Sequence, residues 1–151
     1  MASLLRPGGF MTVGLYSEIA RAGIVAAREF IAGRGLQPTS ADMRRCRQEM
    51  LAEGGFANVI TSVDFFSTSG CRDLLFHVQE HRLTIPQIAA FLAANGLAFL
   101  GFDLEPLTTQ RYLARYPNDK TMTDLANWDA FERDNPATFS GMYQFWVQKR
   151  P

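Results

Sequence analysis

Apolar positions along the chain change period several times, and each change marks an element. Leu4-Leu5 reads as the end of a helix, stopped by Arg6-Pro7-Gly8-Gly9, because proline removes a backbone donor and glycine tolerates the turn that follows. Phe10 to Leu15 is a short, almost wholly apolar run, the pattern of a strand buried on both faces of a parallel sheet. From Glu18 to about Arg34 the period becomes helical, with Ile19, Gly23, Ala26, Ala27, Phe30 and Ile31 on one stripe and Gly33 and Gly35 at its end. Thr39-Ser40-Ala41-Asp42 has capping-box spacing and opens a second helix, with Met43, Cys46, Met50 and Leu51 expected inward and Gly54-Gly55 as its stop. Phe56 to Phe66 fits both helix and loop.

Farther along, Ser69 is placed to cap a short helix from Arg72 to Phe76, and the polar stretch His77 to His81 reads as a loop. Thr84-Ile85-Pro86-Gln87 is a strong helix start, combining a hydroxyl cap, proline in the first turn and glutamine at the third helical position. That helix presents Ile85, Ile88, Ala89 and Leu92 on one face and stops at Asn95-Gly96. Leu97 to Phe102 then reads as a strand, Thr109 to Tyr116 and Thr123 to Asp134 as helices, the second capped by Thr123. Tyr143 to Lys149 reads as a closing strand, with Tyr143, Phe145 and Val147 alternating against Gln144, Trp146 and Gln148. Three strands among five or six helices give an α/β class, but too little sheet for a complete doubly wound fold.

Composition narrows the function classes. The 151 residues are the size of one domain, with 47% hydrophobic and 20% charged residues, ordinary for a globular protein. Fifteen basic residues balance fifteen acidic ones, so no overall field draws the chain to nucleic acid or anionic lipid. No apolar run reaches the roughly 18 residues of a membrane span. Cys46 and Cys71 have no metal or redox spacing, which suits free thiols in the cytoplasm.

Three stretches together resemble one family. LLRPGGFMTVGLYS is similar to the segment of class I S-adenosylmethionine-dependent methyltransferases in which a helix ends in L-x-P-G-G and leads into the fifth strand. Arg72 to Phe102, RDLLFHVQEHRLTIPQIAAFLAANGLAFLGF, resembles the region after that strand in a bacterial group often fused to tetratricopeptide repeats, including an H-x-Q-E-H loop and a sixth strand G-L-x-F-L-G-F. GMYQFWVQK at the end resembles the last strand of that fold, which turns back antiparallel between the fifth and sixth. The resemblance covers nearly the whole chain. It implies a partial Rossmann-like methyltransferase fold, with strands equivalent to the fifth, sixth and seventh and helical insertions, across a single domain spanning residues 1–151.

One departure decides what the chain is expected to do alone. No G-x-G-x-G follows a strand, and backbone amides of such a turn, with an acidic residue after the next strand, are what would hold the cofactor. The resemblance therefore implies the C-terminal, substrate-side part of a methyltransferase, inactive by itself. S-adenosylmethionine is expected in the intact protein and no cofactor in this chain alone. Implied partners are the N-terminal half and tetratricopeptide repeats on the same polypeptide, with neither nucleic acid nor membrane. A sheet cut in this way would leave an edge unpaired, and the fragment would aggregate or need a partner.

Candidate chemistry concentrates in the polar loop. His77 and His81 are the candidate bases, since imidazole titrates near neutral pH; Asp73, Gln79 and Glu80 are candidate substrate contacts beside them. Tyr16 and Ser17 sit just after the first strand, at its carboxyl end, where binding groups collect in open α/β sheets; capping the following helix is the alternative for Ser17. Tyr143, with Phe145 and Trp146, is a candidate lining for an apolar acceptor pocket, or simply core. His77 and His81 are four apart, as two metal ligands on a helix would be, but no third ligand has suitable spacing, and no metal is expected. A non-catalytic interaction or regulatory module is the alternative function. A hydrolase built on His77 or His81 is disfavoured by the absence of G-x-S-x-G.

Overall fold

The structure, a computed structural model, describes residues 4–76 and 80–151. These form a mixed α/β arrangement with four strands and eight helices among the described residues. The sequence suggests one domain; the structure has two compact units, one within Met1–Ala20 and His81–Pro151, the other within Arg21–Glu80.

The first unit holds the sheet. Its strands are β1 (Phe10–Ser17), β2 (Arg82–Leu83), β3 (Leu97–Phe102) and β4 (Tyr143–Lys149), in the order β2-β1-β4-β3. β4 runs antiparallel to both neighbours, pairing Leu15 with Tyr143 on one side and Phe102 with Phe145 on the other. β1 and β3 are thus parallel to each other, and their carboxyl ends share one end of the sheet with the start of β4. The register of β3 slips between Phe99 and Gly101. Gly101 has φ +136°, a conformation that tolerates the extra residue of a bulge because no Cβ opposes it. β2 adds a short parallel pair, Tyr16 with Arg82 and Ser17 with Leu83.

Burial along β1 alternates instead of being complete: Phe10, Thr12 and Gly14 are exposed and Phe10 is 59% accessible, while Met11, Val13 and Leu15 are partly buried. The apolar run that reads as doubly buried therefore covers the core on one face only. On β4 the period-two reading holds, with Tyr143, Phe145 and Val147 buried and Trp146 exposed.

Three helices pack in this unit: α6 (Ile85–Ala94), α7 (Pro106–Arg115) and α8 (Leu125–Asp134). α6 begins at the anticipated capping box, where Thr84 Oγ1 accepts from Gln87 N and Gln87 Oε1 accepts from Thr84 N. α8 is capped not by Thr123 but by Asp124, whose carboxylate accepts from Ala126 N and Asn127 N. The core is aromatic: Trp128 stacks on Tyr112 at 3.7 Å, and Phe102 meets Trp128, Phe139, Tyr143 and Phe145.

The second unit is helical: α1 (Ala22–Gly33), α2 (Ser40–Glu53), α3 (Ala57–Ile60), α4 (Val63–Phe66) and α5 (Thr68–Phe76). α1 starts later than its stripe suggests, at Ala22. α2 is capped by Thr39 and ends at Gly54 with φ +74°, where glycine avoids the left-handed penalty. Met43, Cys46 and Met50 are buried as expected, but Leu51 is exposed. Both thiols are buried in this core, and burial pushes Cys46 up to about 11.

Candidate functional site

The carboxyl ends of β1 and β3 and the start of β4 converge two of the expected site residues on a third that the sequence did not single out. Ser17 Oγ donates a short hydrogen bond to Glu132 Oε1, and Tyr143 OH donates to Glu132 Oε2 at 2.6 Å. Ser17 Oγ in turn accepts from Ala20 N at 3.0 Å. Ser17, Glu132 and Tyr143 are each fully buried. β1 and β4 position the two hydroxyls, and α8 brings the carboxyl inward on the same stripe as Trp128 and Phe131.

Burial raises the Glu132 pKa above the ordinary glutamate value, opposed by the Ser17 and Tyr143 hydrogen bonds and reinforced by Asp129. Burial likewise raises Tyr143, helped by its bond to Glu132. Two donors satisfy the carboxyl, as a buried polar group requires. Sealed from solvent, it ties α8 to the ends of β1 and β4.

Beside this cluster lies a cavity of about 530 Å³, bounded by the segment after β3, the start of α7 and the segment leading into β4. Phe131 and Phe139, both buried, form its apolar floor, and Asp103, Glu105 and Arg111 stand on its exposed rim. Small-molecule sites are typically concave and of this volume. Its place at the carboxyl ends of the parallel strands is where open α/β sheets bind ligands.

The remaining expected residues lie as follows. Tyr16 is half-buried on β1 next to β2. Tyr143 and Phe145 are buried in the core and do not line this cavity, and Trp146 is exposed. His81 is exposed. His77 and Gln79 lie outside the described residues.

Asp73 and Glu80 belong to the helical unit. Asp73 is exposed on α5. Glu80 is engaged by two guanidinium groups: Arg21 Nε and Nη2 donate to its two oxygens at 3.0 and 2.5 Å, and Arg28 Nη2 donates at 3.0 Å. Burial alone would raise this carboxyl, but the Arg21 hydrogen bond and the charges of Arg21 and Arg28 outweigh it and hold Glu80 below its usual value. Such an arrangement ties the first and last residues of the helical unit together and occupies both oxygens.

Sequence reasoning missed Glu132, Asp103, Glu105 and Arg111. A signal for Glu132 exists: it follows Trp128 by four positions and sits beside Phe131 on an apolar stripe, where a carboxylate is out of place unless hydrogen-bonded. The other three carry no local pattern. Among the described residues no group of three or more His, Cys, Asp or Glu is placed to hold a metal ion, and no helix is long and apolar enough to cross a membrane. No family model matches the chain, and neither does any curated protein.

Proposed function

We propose that this chain is the C-terminal, substrate-side part of an S-adenosylmethionine-dependent methyltransferase, its β1, β3 and β4 equivalent to the fifth, sixth and seventh strands of a Rossmann-like fold, and that it is inactive alone. One observation carries the reading: the last strand in sequence lies between two mutually parallel strands and antiparallel to both, the arrangement that the sequence resemblance implies. The partners belonging to this proposal are an N-terminal methyltransferase half and tetratricopeptide repeats on the same polypeptide, in the cytoplasm.

The chain's own residues do not fit the cofactor. β1 ends in Ser17, committed to Glu132, and is followed by Glu18-Ile19-Ala20, and β3 by Asp103-Leu104-Glu105, so neither strand leads into a Gly-rich turn. The residues here would instead shape the acceptor side, with the cavity beside Phe131 and Phe139 as a concave surface. A second reading, a non-catalytic interaction module, is favoured by Arg21–Glu80, which buries a hydrophobic core of its own.

Calorimetric titration with S-adenosylhomocysteine separates the two. The expected result is binding by a polypeptide extended upstream through the nearest Gly-rich strand turn, and none by these residues alone. Binding by the chain alone would overturn the assignment of the cofactor site to other residues. Absence of binding by both would remove the methyl-transfer reading and leave the interaction module.

A further inference from the structure

The cavity beside β3 and β4 has a charge pattern that selects a ligand class, whether or not the chain belongs to a methyltransferase. Asp103, Glu105 and Arg111 line it, and none of the three makes a side-chain hydrogen bond or ion pair among the described residues. Two carboxylates against one guanidinium leave an excess of one negative charge at the rim. Glu105 is the N-cap residue of α7 but makes no capping bond, so its carboxylate is stabilised by the helix dipole while its oxygens stay available. The rest of the lining is mixed: Phe131, Phe139 and half-buried Leu104 supply apolar surface beside Thr108, Asn135, Thr138, Ser140 and Gln144. Ring faces carry negative charge and attract cations, and the apolar floor gains by covering hydrocarbon.

We propose that this cavity binds a small amphiphilic amine, its ammonium held by Asp103 and Glu105 and its apolar body laid on Phe131 and Phe139. A volume of about 530 Å³ accommodates an arylalkylamine with room for further substituents. An anion would meet Arg111 and the start of α7, but also the two carboxylates, so an acid of the same shape should be rejected.

The test titrates the full chain, ¹⁵N-labelled, with phenethylamine, 3-phenylpropionate and 2-phenylethanol in turn. Phenethylamine alone is expected to bind, shifting the amides of Asp103 to Glu105, Leu107 and Thr108 and of Ala137 to Gln144. Asp103→Asn combined with Glu105→Gln should weaken it by at least about fivefold, the scale of two partly screened ion pairs. Arg111→Ala, which removes the like charge, should leave binding equal or tighter. All three side chains are exposed and Glu105 makes no cap bond, so the variants should fold, which their unshifted core amides would verify. The proposal is overturned if the acid or alcohol binds as well as the amine, if the double variant binds unchanged, if the shifts map elsewhere, or if phenethylamine does not bind up to its solubility.

Discussion

At the level of single residues, the deciding feature is a carboxyl group sealed among hydroxyls. Glu132 accepts from Ser17 and Tyr143 with no water-exposed surface, and its native pKa is raised mainly by burial. The native state therefore holds this proton more tightly than the unfolded chain does, and stability must fall as pH rises from the ordinary glutamate value through the raised native one. Tyr143→Phe removes one of the two donors that favour the charged form. Its cost should grow as pH rises, from about 1 kcal/mol where the carboxyl is protonated to about 2 kcal/mol where it is ionised and a charge-assisted bond is lost. Urea denaturation across a pH series measures the change; a cost independent of pH would mean that the carboxyl keeps one charge state throughout. Ser17 and Tyr143 stand out in the sequence by their positions at strand ends. Glu132 stands out only as a carboxylate on an apolar stripe; its partners, one of them 115 positions away, are set by the fold.

Individual elements follow local chemistry wherever that chemistry is strong. The capping box at Thr84 and the Asn95-Gly96 stop bound α6 (Ile85–Ala94) as the sequence predicts, and β3 and β4 keep their anticipated limits. Weak or competing signals shift boundaries: Thr123 and Asp124 are both capping residues, and the carboxylate makes the two backbone bonds. β2, only two residues long, has no period to detect. In the helical unit, Glu80 links the segment beyond α5 to the start and body of α1 through Arg21 and Arg28. Its lowered pKa means that stability is gained above the ordinary glutamate value and lost as pH falls through the native one. Glu80→Gln should cost about 3 kcal/mol at pH 7, because two guanidinium groups lose their counter-charge while largely buried. The cost should vanish below the native pKa, a comparison that helical circular dichroism in denaturant can make. A penalty that does not shrink at all as pH is lowered to the acid end of the native range would assign it to packing.

For the whole molecule, the open question is the side of β1 away from β4. Among the described residues only Arg82 and Leu83 pair there, opposite Tyr16 and Ser17, so Phe10 to Leu15 have one unpaired edge. Alternate amides of that stretch should exchange with deuterium on the timescale of an exposed loop, while those bonded to β4 stay protected. Uniform protection would mean that another strand covers the edge in solution. Such an edge, with Phe10 exposed at its start, is also a site where chains associate.

By itself the sequence determined the type of most elements and the limits of α2, α6, β3 and β4, because caps, glycine stops and the change between periods of 2 and 3.6 act within a few residues. It also placed Ser17 and Tyr143 at strand ends. Only the tertiary structure decided that β1 is covered on one face, that Glu80 is neutralised by Arg21 and Arg28, and that Glu132 joins Ser17 to Tyr143. These facts rest on contacts between residues up to 115 positions apart. Burial and pairing at that range depend on how strands and helices assemble, which no local pattern encodes.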